Sequence, residues 1–175
     1  MFTDPKQNIE NFGIEPGMKI ADLGSGAGFY SLPAAKMVGN EGVVYAVDVQ
    51  KNLLEKIKSE ADREHVSNIE YIWGDIETHN GTKIADNTVS AVFLSNILFQ
   101  VDDREGTIAE ASRILIPGGR VLCIDWTDSF GGLGPTQQAV FPADDAKELL
   151  EKHGLEFEKE FDPGAHHYAL VYKKK

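Results

Sequence analysis

The sequence predicts an α/β protein, a single parallel β-sheet with helices on both faces. Three observations carry that expectation. Short apolar runs alternate with stretches whose apolar residues recur at helical spacing. The runs are apolar throughout, as strands covered on both faces are, rather than apolar at every second residue. The first run also feeds directly into a glycine loop, ADLGSGAGFY, at residues 21–30.

The elements follow in order. Met18 to Leu23 is the first strand, and a helix from about Phe29 to Val38 ends at Gly39-Asn40, residues that tolerate a left-handed cap. Gly42 to Val49 is a second, valine-rich strand. Lys51 to Glu64 places Leu53, Leu54, Ile57 and Ala61 on one helical face. Ile69 to Trp73 and Thr88 to Leu94 form the third and fourth strands. Arg104 to Leu115 is helical through Ile108, Ala111 and Leu115, and Pro117-Gly118-Gly119 turns the chain into a fifth strand, Arg120 to Trp126. Ala143 to His153 is a last helix, stopped by Gly154. Leu155 to Phe161 and His166 to Tyr172 are two final strands, and the tight Asp162-Pro163-Gly164 turn between them makes an antiparallel hairpin.

At 175 residues the chain suits one well-buried domain and is short for two, so residues 1–175 read as a single domain. A mix of 42% apolar and 26% charged residues is that of an ordinary soluble globular protein. No apolar run approaches the roughly 20 residues of a membrane helix. The polar N-terminus, MFTDPKQNIENFG, has no signal-peptide core, and the single Cys123 suits a reducing cytoplasm. A net charge of −11, with no basic cluster before the terminal Lys173-Lys174-Lys175, argues against a nucleic-acid partner. The pattern leaves monomer and homo-oligomer equally open.

In a doubly wound sheet, ligands sit at the carboxyl ends of the strands, where strand order reverses. The glycines there run G-x-G-x-G at Gly24, Gly26 and Gly28, and Phe29 stands where a dinucleotide fingerprint requires its third glycine. Asp22, two residues before the first glycine, would repel a phosphate, and no Walker lysine follows. A ligand with cationic groups and no phosphate fits better. S-adenosylmethionine, with its sulfonium and ammonium, is such a ligand. Asp22 would attract the positive end, Asp48 at the second strand end would accept from the ribose hydroxyls, and Asp75 in WGDI would accept from the adenine amino group. Ser25, Val49, Ile76, Ser95 and Asn96 complete the expected donor-binding set with the three glycines.

At this point the sequence resembles the class I S-adenosylmethionine-dependent methyltransferases over nearly its whole length. The carriers are DLGSGAG, the acid in YAVDV, the acid in GDI, the RILIPGGRVLCID turn and strand, and the closing strand pair. The resemblance implies a Rossmann-like sheet of seven strands ordered 3-2-1-4-5-7-6, the last antiparallel. It also implies that Met1 to Gly17 form a flap over the site.

The acceptor would sit beyond the fourth and fifth strands. SNIL at Ser95 to Leu98 departs from the N-P-P-Y of the family's amino-methylating adenine and glutamine enzymes, which points away from nucleobase amines. Leu98 and Phe99 are expected to supply apolar wall. In DWTDSFGGLGP, Asp125 to Pro135, glycines give mobility and Trp126 and Phe130 give apolar surface; Asp125 and Asp128 are the candidate bases. His166-His167 is no metal pair, because neighbours on a strand face opposite sides, although one of the two is a candidate to face the pocket. A small-molecule methyltransferase is the leading reading. A tRNA or protein methyltransferase, and a non-catalytic donor-binding partner subunit, are its rivals.

Overall fold

The computed structural model describes residues 3–175. Its sheet has seven strands in the order β3-β2-β1-β4-β5-β7-β6. These are β1 (Lys19–Leu23), β2 (Val43–Asp48), β3 (Ile69–Trp73), β4 (Val89–Ser95), β5 (Leu115–Trp126), β6 (Leu155–Phe161) and β7 (His167–Lys174). β1 to β5 pair in parallel, whereas β7 runs antiparallel to both β5 and β6. The chain order reverses between β1 and β4, which opens a crevice at their carboxyl ends.

The helices are α1 (Pro5–Phe12), α2 (Ser31–Val38), α3 (Lys51–Arg63), α4 (Arg104–Ile114) and α5 (Ala143–Lys152). Strand alternation sorts their partners. Ile20, Val44, Ala46, Phe93, Leu122, Ile124, Ala169 and Val171 pack under α1, α2 and α3 on one face. Leu23, Val47, Val92, Leu94, Val121, Cys123, Leu170 and Tyr172 pack under α4 and α5 on the other. Because side chains alternate, each strand residue belongs to one helical layer or the other, and a slip by one residue would exchange them.

The start of β5 and the helix α1 differ from expectation. β5 begins at Leu115, ahead of the predicted turn, and its register with β4 shifts between Val89 and Ala91. The Pro117-Gly118-Gly119 segment is therefore a bulge absorbed within a longer strand, with Gly118 at φ +79°. α1 is not among the expected elements; its buried face is formed by Asn8, Ile9 and Phe12. Asp4 caps it by accepting from the Gln7 amide at 3.2 Å, and Pro5 opens its first turn. Ile9 and Phe12 are fully buried, and the Phe12 ring meets Phe93 edge-on. Arg120 donates to the carbonyls of Phe12 and Gly13 at the helix end. Of the N-terminal flap expected at Met1 to Gly17, the first two residues lie outside the described residues; Thr3 and Pro5 line the cleft, while Ile9 and Phe12 of α1 pack into the core. No helix among the described residues is long and apolar enough to cross a membrane.

Candidate active site

The loop after β1 is built from the backbone outward. Both the Gly24 and Ser25 amides donate to the Val47 carbonyl, at 2.9 and 3.0 Å, which bends the chain back across the end of β2. Gly24 has φ +73°, a left-handed conformation that favours glycine, and a β-carbon there would displace the end of the Ile97 side chain, 2.1 Å away. Asp48 locks the loop. Its carboxylate accepts from the Gly26 amide and from the Gln50 amide, each at 2.9 Å. One carboxylate thus ties the glycine loop to the turn that opens α3.

Two connected lobes result. The first, about 410 Å³, is lined by residues including Asp22, Ser25, Tyr30, Asn96, Trp126 and His167. The second, about 270 Å³, is lined by residues including Asp48, Val49, Asp75, Ile76 and Leu53. Gly24, Gly26, Ile97 and Gln100 border both, so the lobes form one elongated cleft over the switch point.

Asp22 sits beneath the first lobe, 2% exposed, and accepts from the Ser31 hydroxyl at 2.6 Å. Burial pushes its pKa up to about 6; the Ser31 hydrogen bond pulls the other way, and the nearby Asp48 charge adds to the rise. Asp75 is exposed, accepting from the Glu77 amide at 2.9 Å and the Thr78 hydroxyl at 3.1 Å. Three buried side-chain atoms have no hydrogen-bond partner among the described residues: Ser25 Oγ, Asn96 Oδ1 and His167 Nε2. All three residues line the first lobe. Buried polar atoms are rarely left unpaired, so three on residues lining one chamber suit that chamber to a polar ligand.

Most expected donor-binding residues therefore meet in the cleft: Asp22, Gly24, Ser25, Gly26, Ser95 and Asn96 around the first lobe, and Asp48, Val49, Asp75 and Ile76 around the second. Gly28 does not join them. It faces α3, where a β-carbon would sit 3.0 Å from Ile57, so its role is helix packing. Asp125, expected as a candidate base, is not among the residues that line either lobe. It is fully buried, and its carboxylate accepts from the amides of Leu98 (2.8 Å), Phe99 (3.4 Å) and Trp126 (2.8 Å). Burial raises its pKa to about 6 against the pull of those amides. Its work is to fasten the segment after β4 to the end of β5.

Asp128 is not among the residues that line either lobe, and it pairs with His166 Nδ1 at 2.8 Å. The apolar wall comes from Ile97, Phe29, Tyr30 and Trp126. Leu98 lies in the core below α4, because Asn96 at φ +56° redirects the chain after β4. Sequence reasoning assigned no role to Tyr30, Ile97 or Gln100. Their only signal was proximity to strand ends.

The chain is similar to known proteins along the same lines. The profile of the methyltransferase domain family matches residues 21–123. The ubiquinone/menaquinone biosynthesis C-methyltransferase UbiE of Francisella tularensis subsp. novicida is 32% identical over 123 residues, which is 70% of this chain and 48% of that protein. The arsenite methyltransferase of Halobacterium salinarum is 29% identical over 156 residues, 82% of this chain and 38% of that one. The chain thus spans about half the length, or less, of these curated relatives. A SAM-dependent methyltransferase structure from Aquifex aeolicus superposes with a TM-score of 0.89 at 25% identity, covering 99% of this chain and 91% of that one.

Proposed function

The chain belongs to the methyltransferase domain family and depends on S-adenosylmethionine, and from that premise we propose that it methylates a small-molecule acceptor held in the first lobe. The observation that carries the reading is that three residues with unpartnered buried polar atoms line one chamber of about 410 Å³. A space of that order suits part of the donor and a compact acceptor.

The residues present fit the donor. Asp48 and Asp75 would hold the adenosine portion along the second lobe, and Asp22, Ser25 and Asn96 would meet the amino-acid portion. Bound there, S-adenosylmethionine supplies a methyl group activated by its sulfonium. The chain's own part is alignment and exclusion of water: Ile97, Tyr30 and Trp126 wall the chamber, and Thr3 and Pro5 line it too. The only cysteine, Cys123, is buried within β5. The single cysteine fits work in a reducing cytoplasm.

Calorimetry with S-adenosylhomocysteine against NAD tests the donor site, with binding expected for the first alone. Transfer of labelled methyl from S-adenosylmethionine into fractionated extract should then mark the small-molecule pool. Label appearing only in RNA or protein would overturn the acceptor class. Asp48→Ala is expected to weaken donor binding by about 1–3 kcal/mol, the scale of hydrogen bonds to a charged group. Unchanged affinity in that variant would remove the ribose role from Asp48.

A further inference from the structure

Because β7 runs against β5, its first residue lies beside the last residue of β5, and His167 pairs in register with Trp126 at the ligand end of the sheet. The two rings pack with centroids 4.2 Å apart. His167 Nδ1 lies 2.8 Å from the Ala165 carbonyl oxygen. A carbonyl can only accept, so Nδ1 carries the proton and Nε2 presents a lone pair. That Nε2 is buried, has no partner among the described residues, and belongs to a residue lining the first lobe. His167 is 8% exposed, so bulk water does not occupy the lone pair freely.

We propose that His167 Nε2 is the proton acceptor for the methyl-accepting group, which must then be a protic one such as a phenolic hydroxyl. The proposal rests on the methyltransferase reading. The step balances without further reagents. The acceptor atom forms its bond to the methyl carbon as the carbon–sulfur bond breaks and its electron pair stays on sulfur. The acceptor's X–H pair remains on the acceptor atom, and its proton passes to Nε2. The imidazolium then returns the proton to solvent.

The surroundings keep the imidazole neutral beforehand. Burial lowers its pKa, the Ala165 hydrogen bond raises it, the neighbouring His166 lowers it and Asp128 raises it. Asp22 on β1 and Tyr30, just before α2, line the same chamber, while Asp125 on β5 is fully buried on the opposite face of the sheet. A neutral imidazole with an unengaged Nε2 lone pair is the state a general base requires.

The test combines two readouts. Imidazole nitrogen NMR of the labelled full chain, free and with S-adenosylhomocysteine, should find His167 in the Nδ1–H tautomer at neutral pH. An Nε2–H tautomer would overturn the proposal whatever the enzyme does. His167→Gln places an amide oxygen near Nε2 without basicity, and His167→Asn keeps an N–H able to reach Ala165. Each should bind S-adenosylhomocysteine as the wild type does, yet transfer labelled methyl into the small-molecule fraction about 100-fold or more slowly. The deficit should shrink as pH rises and the acceptor ionises unaided. Transfer by the Gln variant within about threefold of wild type would overturn the role. If the wild type labels no small molecule, the function proposal fails instead, and the tautomer still decides the histidine's state.

Discussion

Replacing Asp22 by asparagine is expected to stabilise the free protein and at the same time weaken its hold on S-adenosylmethionine. Burial raises this carboxyl from an ordinary 3.8 to about 6. The folded state therefore binds the proton more tightly than the unfolded chain. Ionised Asp22 begins to cost stability above about pH 3.8 and exerts its full cost above about pH 6. At about 1.4 kcal/mol per unit, the cost at neutral pH reaches up to about 3 kcal/mol. Asparagine carries no charge to desolvate and can still accept from Ser31.

Urea unfolding should show the gain at neutral pH and lose it near about pH 4, where wild-type Asp22 is protonated in any case. Binding should move the other way. Loss of the carboxylate opposite a cationic ligand should cost about 1–3 kcal/mol, roughly five- to 150-fold in affinity. Wild-type affinity should also fall as pH drops below about 6, and the variant's should not. A variant that binds as tightly as wild type with the same pH profile would show that Asp22 is scaffold alone. The tension is of the kind expected where a functional group is held in an unfavourable setting.

Glu110→Ala should cause the largest loss of stability, about 3–5 kcal/mol, by breaking a buried ion pair from one side. Glu110 on α4 accepts from the Asn80 and Thr82 amides at 3.0 and 3.1 Å, from the Thr82 hydroxyl at 2.6 Å and from Arg113 at 2.7 Å. Burial alone would raise its pKa, but Arg113, Thr82 and Asn80 together hold it at about 2. A depressed carboxyl contributes stability that is complete above its ordinary value near 4.5 and is lost as pH falls through about 2. Alanine would also leave the guanidinium of Arg113 buried without its main partner, and Glu110→Gln should lose less. Urea unfolding at neutral pH measures the effect; a loss below about 1 kcal/mol would deny the network its weight.

The position matters for the cleft because Glu110 pins the segment between β3 and β4. Asp75 donates its amide to the Gly81 carbonyl there, and a β-carbon on Gly81 would lie 1.9 Å from the Asp75 carbonyl oxygen. Asp75 therefore rests on a turn held in place from α4. Saturating S-adenosylhomocysteine should recover part of the lost stability, since a ligand that binds only the folded state shifts the equilibrium by mass action.

Local pattern made several features legible in advance. Continuous apolar strands and helical periods identified the α/β class, because burial on both faces leaves a direct mark on composition. The spacing of Asp22, Gly24 and Gly26, with acids ending the next two strands, pointed to a donor with cationic groups. Those residues lie close along the chain or at strand ends, so the motif and the site nearly coincide. Gly28 sits in the same motif and does different work, because the loop turns it toward α3 rather than the cleft.

What the sequence determined by itself was the layered sheet, the glycine loop and the row of strand-end carboxylates, all written in short-range order. What only the tertiary structure decided was the content of the acceptor chamber. Asp125 and His167 sit at paired ends of β5 and β7, yet alternation sends one into the core and the other to the cleft lining. The reversed direction of β7 brings a residue from near the chain's end to the edge where β1 and β4 finish. Strand order and direction are properties of the assembled sheet, and burial on one face or the other follows from them.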